Sequence, residues 1–176
     1  MKVFIAGARE IVRLDKMVTD RLYNIYQNNI SVLVGDANGV DKSVQQYFQD
    51  VSYKNVEVYA MDGRARNNIG NWKVNGISAS SKAKGFDYYA AKDLKMAENA
   101  DYGFMIWNGK SKGTLNNIIN LTRLGKETLV YLSFKKHYYK VTNINDVKML
   151  MKICNSETEH LFFQLANKYN QLSVFS

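Results

Sequence analysis

Along this chain, short apolar runs rich in β-branched residues alternate with longer segments whose apolar positions recur every three or four residues. Lys2 to Ala6 is a run of the first kind, ends at Gly7, and reads as a strand buried in a parallel sheet. Leu14, Val18, Leu22 and Ile25, widened by Met17 and Tyr26, predict a helix over residues 14–28. Residues 31–34 repeat the strand theme and stop at Gly35, and Val40, Val44, Tyr47, Phe48 and Val51 mark a second helix. Val56 to Ala60 is a third strand by alternation and β-branching. After a gap at residues 61–85, Phe86, Ala90, Leu94 and Ala97 predict a helix, 102–107 a fourth strand, 115–124 a helix and 128–132 a fifth strand. From Ser133 onward the pattern gives a short strand at 137–141 and two helices, near 145–153 and 157–170.

Strands alternating with helices predict an α/β three-layer sandwich around a mainly parallel sheet of about five strands, with a small C-terminal β-α-α extension. The boundaries are residues 1–132 for the main domain and 133–176 for the extension, which is expected to pack on the same domain. The gap at 61–85 is long for a compact domain, where connections beyond about 12–15 residues are usually functional, so it is a candidate lid. It carries Arg64, Arg66, Lys73, Lys82 and Lys84 against the single acid Asp62, together with Trp72, a set suited to phosphate and an aromatic face.

With 46% apolar and 23% charged residues the composition is that of an ordinary globular chain. No apolar run nears the roughly 20 residues of a membrane span, and the N-terminus enters a strand instead of a leader, so a cytoplasmic protein with no membrane partner is expected. Cys154 is the only cysteine, which excludes an intramolecular disulfide and a Cys-x-x-Cys site and leaves a buried, inert thiol. His137 and His160 are far apart in sequence with no metal-ligand spacing, so both read as structural and neither a metal nor a cofactor is expected. A net charge of +8 points to an anionic partner, polymer or small molecule.

In open parallel sheets ligands settle beyond the carboxyl ends of the strands, where helix N-termini direct free N–H groups outward. Three turns meet there. In the first, Gly7, Ala8 and Arg9, glycine permits close backbone approach and arginine offers a planar fork to a phosphate, although a solvated arginine on a plain turn has the same sequence. In the second, Gly35, Asp36, Ala37, Asn38, Gly39, Val40 and Asp41, Asn38 is placed to cap the next helix, and Asp41 either bonds a ribose hydroxyl or complements the helix dipole. The third runs Trp107, Asn108, Gly109, Lys110, Ser111, Lys112, Gly113, Thr114. It crowds glycines, hydroxyls and lysines into a turn able to form a nest of N–H groups, with Lys110 or Lys112 supplying charge, and it is not a Walker A loop because Gly113 is followed by Thr114 and Leu115.

Val3 to Arg9, Gly35 to Asp41 and Ala100 to Thr114, in that order and spacing, resemble the SLOG superfamily and within it the YspA-like branch, over residues 1 to about 132. The resemblance implies a Rossmann-like sheet with a nucleotide-type pocket, shared by Lonely-Guy phosphoribohydrolases, DNA-processing proteins that load single strands, and sensors of nucleotide-derived signals. It also implies a homodimer, with the tail as a contact. The Lonely-Guy enzymes carry a Gly-Gly-x-Gly-Thr-x-x-Glu turn whose glutamate works at the ribose, and here Asn117 stands in that place. A carboxamide neither shuttles a proton nor stabilises a developing cation as a carboxylate does. An Arg-Asn pair of the family is also missing, and Lys92 takes its place as a point charge.

The leading expectation is therefore a sensor or effector domain that binds a phosphate-bearing, nucleotide-derived small molecule without turning it over. Its relatives are linked to nucleotide signalling and to conflict between bacteria and phages. The expected pocket comprises Gly7, Ala8, Arg9, Gly35, Asp36, Ala37, Gly39, Asp41, Trp107, Asn108, Gly109, Ser111, Lys112, Gly113, Thr114 and Asn117. One alternative is an N-glycosidase or phosphoribohydrolase acting on a nucleoside monophosphate or ADP-ribose-type substrate, with Asp41, Asp87 or Asp101 replacing the glutamate. Another is a single-stranded nucleic-acid binder that uses the basic surface and aromatic residues.

Overall fold

The computed structural model describes residues 1–173, with burial described through residue 170, so residues 174–176 of the predicted extension lie outside the described residues. Among the described residues seven strands form one sheet: β1 (Lys2–Gly7), β2 (Ser31–Gly35), β3 (Val56–Met61), β4 (Lys73–Ile77), β5 (Tyr102–Trp107), β6 (Thr128–Leu132) and β7 (His137–Val141). Their spatial order is β4-β3-β2-β1-β5-β6-β7, parallel throughout except for β7, which pairs antiparallel with β6. The sequence pattern that predicted five buried strands is present as β1, β2, β3, β5 and β6, and the short strand of the extension is β7.

Among the described residues six helices cover the sheet: α1 (Lys16–Gln27), α2 (Val40–Asp50), α3 (Phe86–Asn99), α4 (Lys112–Arg123), α5 (Ile144–Met151) and α6 (Ser156–Ser173). Val18, Leu22 and Ile25 of α1 and Val44 and Phe48 of α2 pack with Val3, Ile5 and Val34 on one face. On the other face Met96 of α3, Leu115 and Ile118 of α4, Val147 of α5 and Phe162 of α6 pack with Phe4, Leu33 and Met105. Alternate side chains of one strand thus feed two cores. Each such fully buried side chain contributes about 1.5–3 kcal/mol relative to exposure. The arrangement is a Rossmann-like three-layer sandwich.

The stretch between β3 and α3 differs from the predicted lid. It contains β4, an edge strand whose pattern is weak because Lys73 and Gly76 are exposed and its other residues only half-buried. β4 is held to β3 by its ladder and by Asn75, which donates to Glu57 at 2.6 Å. Residues 62–72 are fastened down. Gln45, fully buried on α2, donates to the Gly35 and Asn67 carbonyls at 2.9 and 3.1 Å and accepts from Ile69 N at 3.0 Å, while the Trp72 indole donates to the Tyr53 carbonyl at 2.8 Å. Only residues 78–85, mostly exposed, keep the character of an open loop.

The sheet reverses its winding between β1 and β5. From β1 the chain steps outward through β2, β3 and β4, and α3 then carries it back to β5 on the other side of β1. A switch point of this kind opens a crevice at the carboxyl ends of the two strands. The two backbones are pressed together there. Ala8 N donates to Ile106 O at 3.1 Å, and a Cβ on Gly7 would lie 2.2 Å from that same carbonyl oxygen and 2.6 Å from Val40 Cγ2.

Candidate functional site

At this switch point lies a cavity of about 520 Å3. Its walls come from four places: the β1–α1 turn with Gly7, Ala8 and Arg9, the start of α2 with Ala37 and Asp41, the first turns of α3, and the β5–α4 turn with Asn108, Lys110, Ser111, Gly113, Thr114 and, one turn on, Asn117. Those residues, drawn from three separate turns and one helix of the sequence reading, therefore share one hollow. Gly35, Asp36, Gly39, Trp107, Gly109 and Lys112 do not line it.

Each of these six has a structural engagement instead. Gly35 lies beneath the cavity floor, where a Cβ would meet Asp41 Oδ2 at 2.4 Å and Lys92 Nζ at 3.0 Å. Asp36, buried, is gripped by Arg66, whose Nε and Nη2 donate at 2.9 and 2.7 Å and whose backbone N–H donates at 3.0 Å. Burial alone would raise the Asp36 pKa, but these bonds from Arg66 hold it below the usual carboxylate range. Gly39, at φ +80°, presses against the Arg9 backbone and itself caps α2, so Asn38 does not cap as expected and accepts from Asn67 instead. Trp107 is wholly buried, its indole donating to the Ser111 carbonyl at 3.1 Å. Gly109 packs under the extension against Phe134, and the Thr158 hydroxyl of α6 donates to its carbonyl at 2.6 Å. Lys112 rests on the cavity residue Phe86, its Nζ 4.2 Å from the ring centroid.

The floor of the cavity is a cluster of charges. Lys92, 4% exposed, donates to Asp93 at 2.6 Å and faces Asp41. Burial works against its charge, but the two carboxylates outweigh it and hold the lysine above its ordinary pKa. Asp41 accepts from Ala37 N at 3.2 Å, and burial, against the pull of Lys92, pushes its carboxyl up to about 6. With all three ionised the floor carries one net negative charge, which places any anionic group of a ligand away from it.

The part of the lining that holds Arg9 and the start of α4 offers donors to an anion, with the Glu10 carboxylate there engaged by Asn108 Nδ2 at 2.9 Å. Arg9 makes no ion pair among the described residues, its guanidinium resting 5.8 Å from the Tyr89 ring centroid. Of the first-turn amides of α4, that of Thr114 donates to the capping Ser111 Oγ at 3.4 Å, and among the described residues those of Lys112 and Gly113 have no partner. Around Gly113 the approach is open, because a Cβ there would meet nothing within 4 Å. Asn108 organises the turn by accepting from Lys110 N at 3.0 Å and Ser111 N at 2.9 Å. Thr114 donates its hydroxyl to Ser111 Oγ at 3.1 Å, which leaves the Ser111 proton free to be donated in turn. Asn117, 3% exposed, has a side-chain carbonyl without a partner among the described residues.

Sequence reasoning missed Tyr89, Phe86 and Asp93 as cavity residues and Arg66 as the partner of Asp36. α3 was legible as a helix, but no pattern in its sequence says that its first turns face the switch point. Of the carboxylates considered as replacements for a catalytic glutamate, Asp41 lines the cavity. Asp101 sits at the amino end of β5, accepting from Lys2 N at 2.6 Å, and Asp87 pairs with Lys168 at 2.5 Å. Cys154 is half-buried and its thiol is pushed up to about 11 by burial. Among the described residues no group of three or more His, Cys, Asp or Glu side chains is placed to hold a metal ion, and no helix is long and apolar enough to cross a membrane.

A Rossmann-like sandwich with a crevice at its switch point is the class that fold and cavity define. Among solved structures the chain is similar to DNA processing protein A from Helicobacter pylori, described for its single-stranded DNA binding mode. The likeness covers 96% of this chain and 81% of that one, with a TM-score of 0.58 and 11% identity. At that identity the two share a fold. No family model matches the chain, and no curated protein matches it.

Proposed function

We propose that the cavity binds a phosphate-bearing, nucleotide-derived small molecule, and that the chain is a sensor or effector domain of the SLOG superfamily in its YspA-like branch. The observation that carries this reading is the convergence of unspent polar groups in one crevice: the Arg9 guanidinium, the open amides around Gly113, the Ser111 hydroxyl and the Asn117 carbonyl. The phosphate belongs at Arg9 and the α4 N-terminus, where charge and dipole agree. The sugar belongs over the Asp41, Lys92 and Asp93 floor, which offers acceptors. Binding proceeds without turnover, because Asn117 has no titratable proton to give.

The test is calorimetric titration with the ribonucleoside 5′-monophosphates, alongside mass spectrometry of whatever nucleotide co-elutes from denatured protein. At least one monophosphate binds, and Arg9→Ala weakens it about ten- to a hundredfold, the worth of a charge-assisted bidentate contact. Thr114→Val, which breaks the hydroxyl relay to Ser111, weakens it less. Unchanged affinity in both variants would withdraw the assignment of this wall. Free base and ribose 5-phosphate accumulating on incubation would favour the hydrolase alternative, with Asp41 as the group to mutate next.

A second reading, binding of single-stranded nucleic acid, is favoured by the fold shared with DNA processing protein A and by the net charge of +8. Its signature is an affinity that falls steeply with salt, roughly in proportion to the number of phosphates contacted. A single phosphate in a crevice gives a shallow slope.

A further inference from the structure

A second hollow of about 510 Å3 adjoins the cavity, between the end of β3 and the start of α3, with Arg64, Arg66, Tyr88 and Tyr89 in its lining. Tyr89 belongs to both hollows and is 38% exposed. Its ring is within reach of two guanidiniums, Arg9 of the main cavity at 5.8 Å and Arg66 of the side hollow at 4.9 Å from the centroid. The side hollow is thus a continuation of the main cavity past one aromatic wall.

Its charged groups are not equally engaged. Arg66 is committed to Asp36, and Asp62 accepts from the Tyr88 hydroxyl. Arg64 is exposed; its backbone N–H donates to Met61 O at 3.2 Å, and among the described residues its guanidinium makes no hydrogen bond or ion pair. Each hollow therefore holds one arginine with its side-chain donors unspent, Arg9 in one and Arg64 in the other, and Tyr89 lines both. Asp36 and Asp62 balance the two arginines of the side hollow, so an anion there is held by the Arg64 fork at short range and not by a broad positive field.

We propose that the ligand is of dinucleotide length, with its terminal phosphate at Arg9 and the α4 N-terminus, a nucleoside passing over Tyr89, and its second phosphate at Arg64. This rests on the reading of the main cavity as a nucleotide site and specifies how far the occupant extends. A mononucleotide occupies the main cavity alone and leaves the Arg64 donors unused.

The experiment compares the four ribonucleoside 5′-monophosphates with the four corresponding 5′-phosphorylated homodinucleotides, on the unaltered chain and on Arg64→Ala. The best dinucleotide binds at least about tenfold tighter than its mononucleotide, the worth of one exposed charge-assisted contact plus stacking. Arg64→Ala removes that gain and leaves mononucleotide affinity where it was, which also shows that the variant is folded. Equal affinities for the two lengths, or an equal loss for both in the variant, overturn the proposal and leave the main cavity reading standing. Binding of neither length removes both. An affinity that keeps rising from two to eight nucleotides overturns it in favour of strand binding.

Discussion

The β2–α2 turn and the β5–α4 turn stand on the same sheet edge, are both rich in small and polar residues, and are used in opposite ways. In the first, Asp36 is spent on Arg66, Asn38 on Asn67, and Gly39 on close contact with the Arg9 backbone. In the second, the internal bonds shape the turn, the Lys110 and Ser111 amides donating to Asn108, the Thr114 amide and hydroxyl to Ser111 Oγ and the Trp107 indole to the Ser111 carbonyl, and the approach at Gly113 is left open. Polar residues at a switch point are thus no guide by themselves. A turn recognises a ligand only with the donors and acceptors its own fold has not consumed.

The sharpest break of the contrast is Gly39→Ala. At φ +80° a side chain is strained whatever the space, and the new Cβ would meet Arg9 backbone atoms at 2.3–2.5 Å. Strain and overpacking together cost about 4 kcal/mol or more. Chemical denaturation should show a loss of unfolding free energy of that size, and a variant as stable as the parent would mean that the two turns are not locked together.

Asp41 belongs to the clasped turn yet faces the cavity, and its titration separates the two roles. Its folded pKa of about 6 lies above the ordinary 3.8, so protonation stabilises the fold. That contribution is full below about pH 4 and is lost as the pH rises through about 6. Asp41→Asn keeps an acceptor for Ala37 N without the buried charge. At pH 7 it should gain up to about 3 kcal/mol, the value of a shift of about two units. The gain should shrink as the pH falls from 6 to 4 and vanish below, as read from denaturation midpoints across that range.

Asp36→Ala opens the clasp from the other side. Losing both members of a buried pair is often tolerated, but losing one leaves the other unpaired. The Arg66 side chain is 40% exposed, so water takes over part of its solvation, and the expected loss is about 2 kcal/mol, below that for a wholly buried pair. Mononucleotide affinity should stay within about threefold, since Asp36 does not line the main cavity. A large loss of affinity with little loss of stability would reverse the roles assigned to the two turns.

The sequence showed the parallel strands because each is buried on both faces and so carries an unbroken apolar run, as Val3, Phe4 and Ile5 do. It hid β4, whose Lys73, Asn75 and Gly76 are tolerated only because an edge strand pairs on one side. The turns at Gly7, Gly35 and Gly113 were visible because glycine and short polar residues leave local signals where a strand ends. What could not be read is which polar side chains satisfy one another. Asp36 and Arg66 are thirty residues apart with no period linking them, and nothing in the sequence around Lys92 says that it is buried against Asp41 and Asp93. The crevice was legible as a place, and its division into spent and unspent groups appears only in three dimensions.

The finest test lies at Gly113, the counterpart of Gly39 in the open turn. A Cβ there meets no atom within 4 Å, and the residue sits in the first turn of α4 with ordinary backbone geometry. Gly113→Ala should therefore leave stability unchanged or raise it by less than about 1 kcal/mol, the helix-propensity difference. The added methyl enters the space through which a phosphate must approach the first-turn amides, so nucleotide affinity should fall about tenfold. The same substitution at two glycines on one sheet edge would then unfold the protein at one and blind it at the other. Nucleotide affinity that survives Gly113→Ala intact would mean that the α4 N-terminus does not meet the ligand.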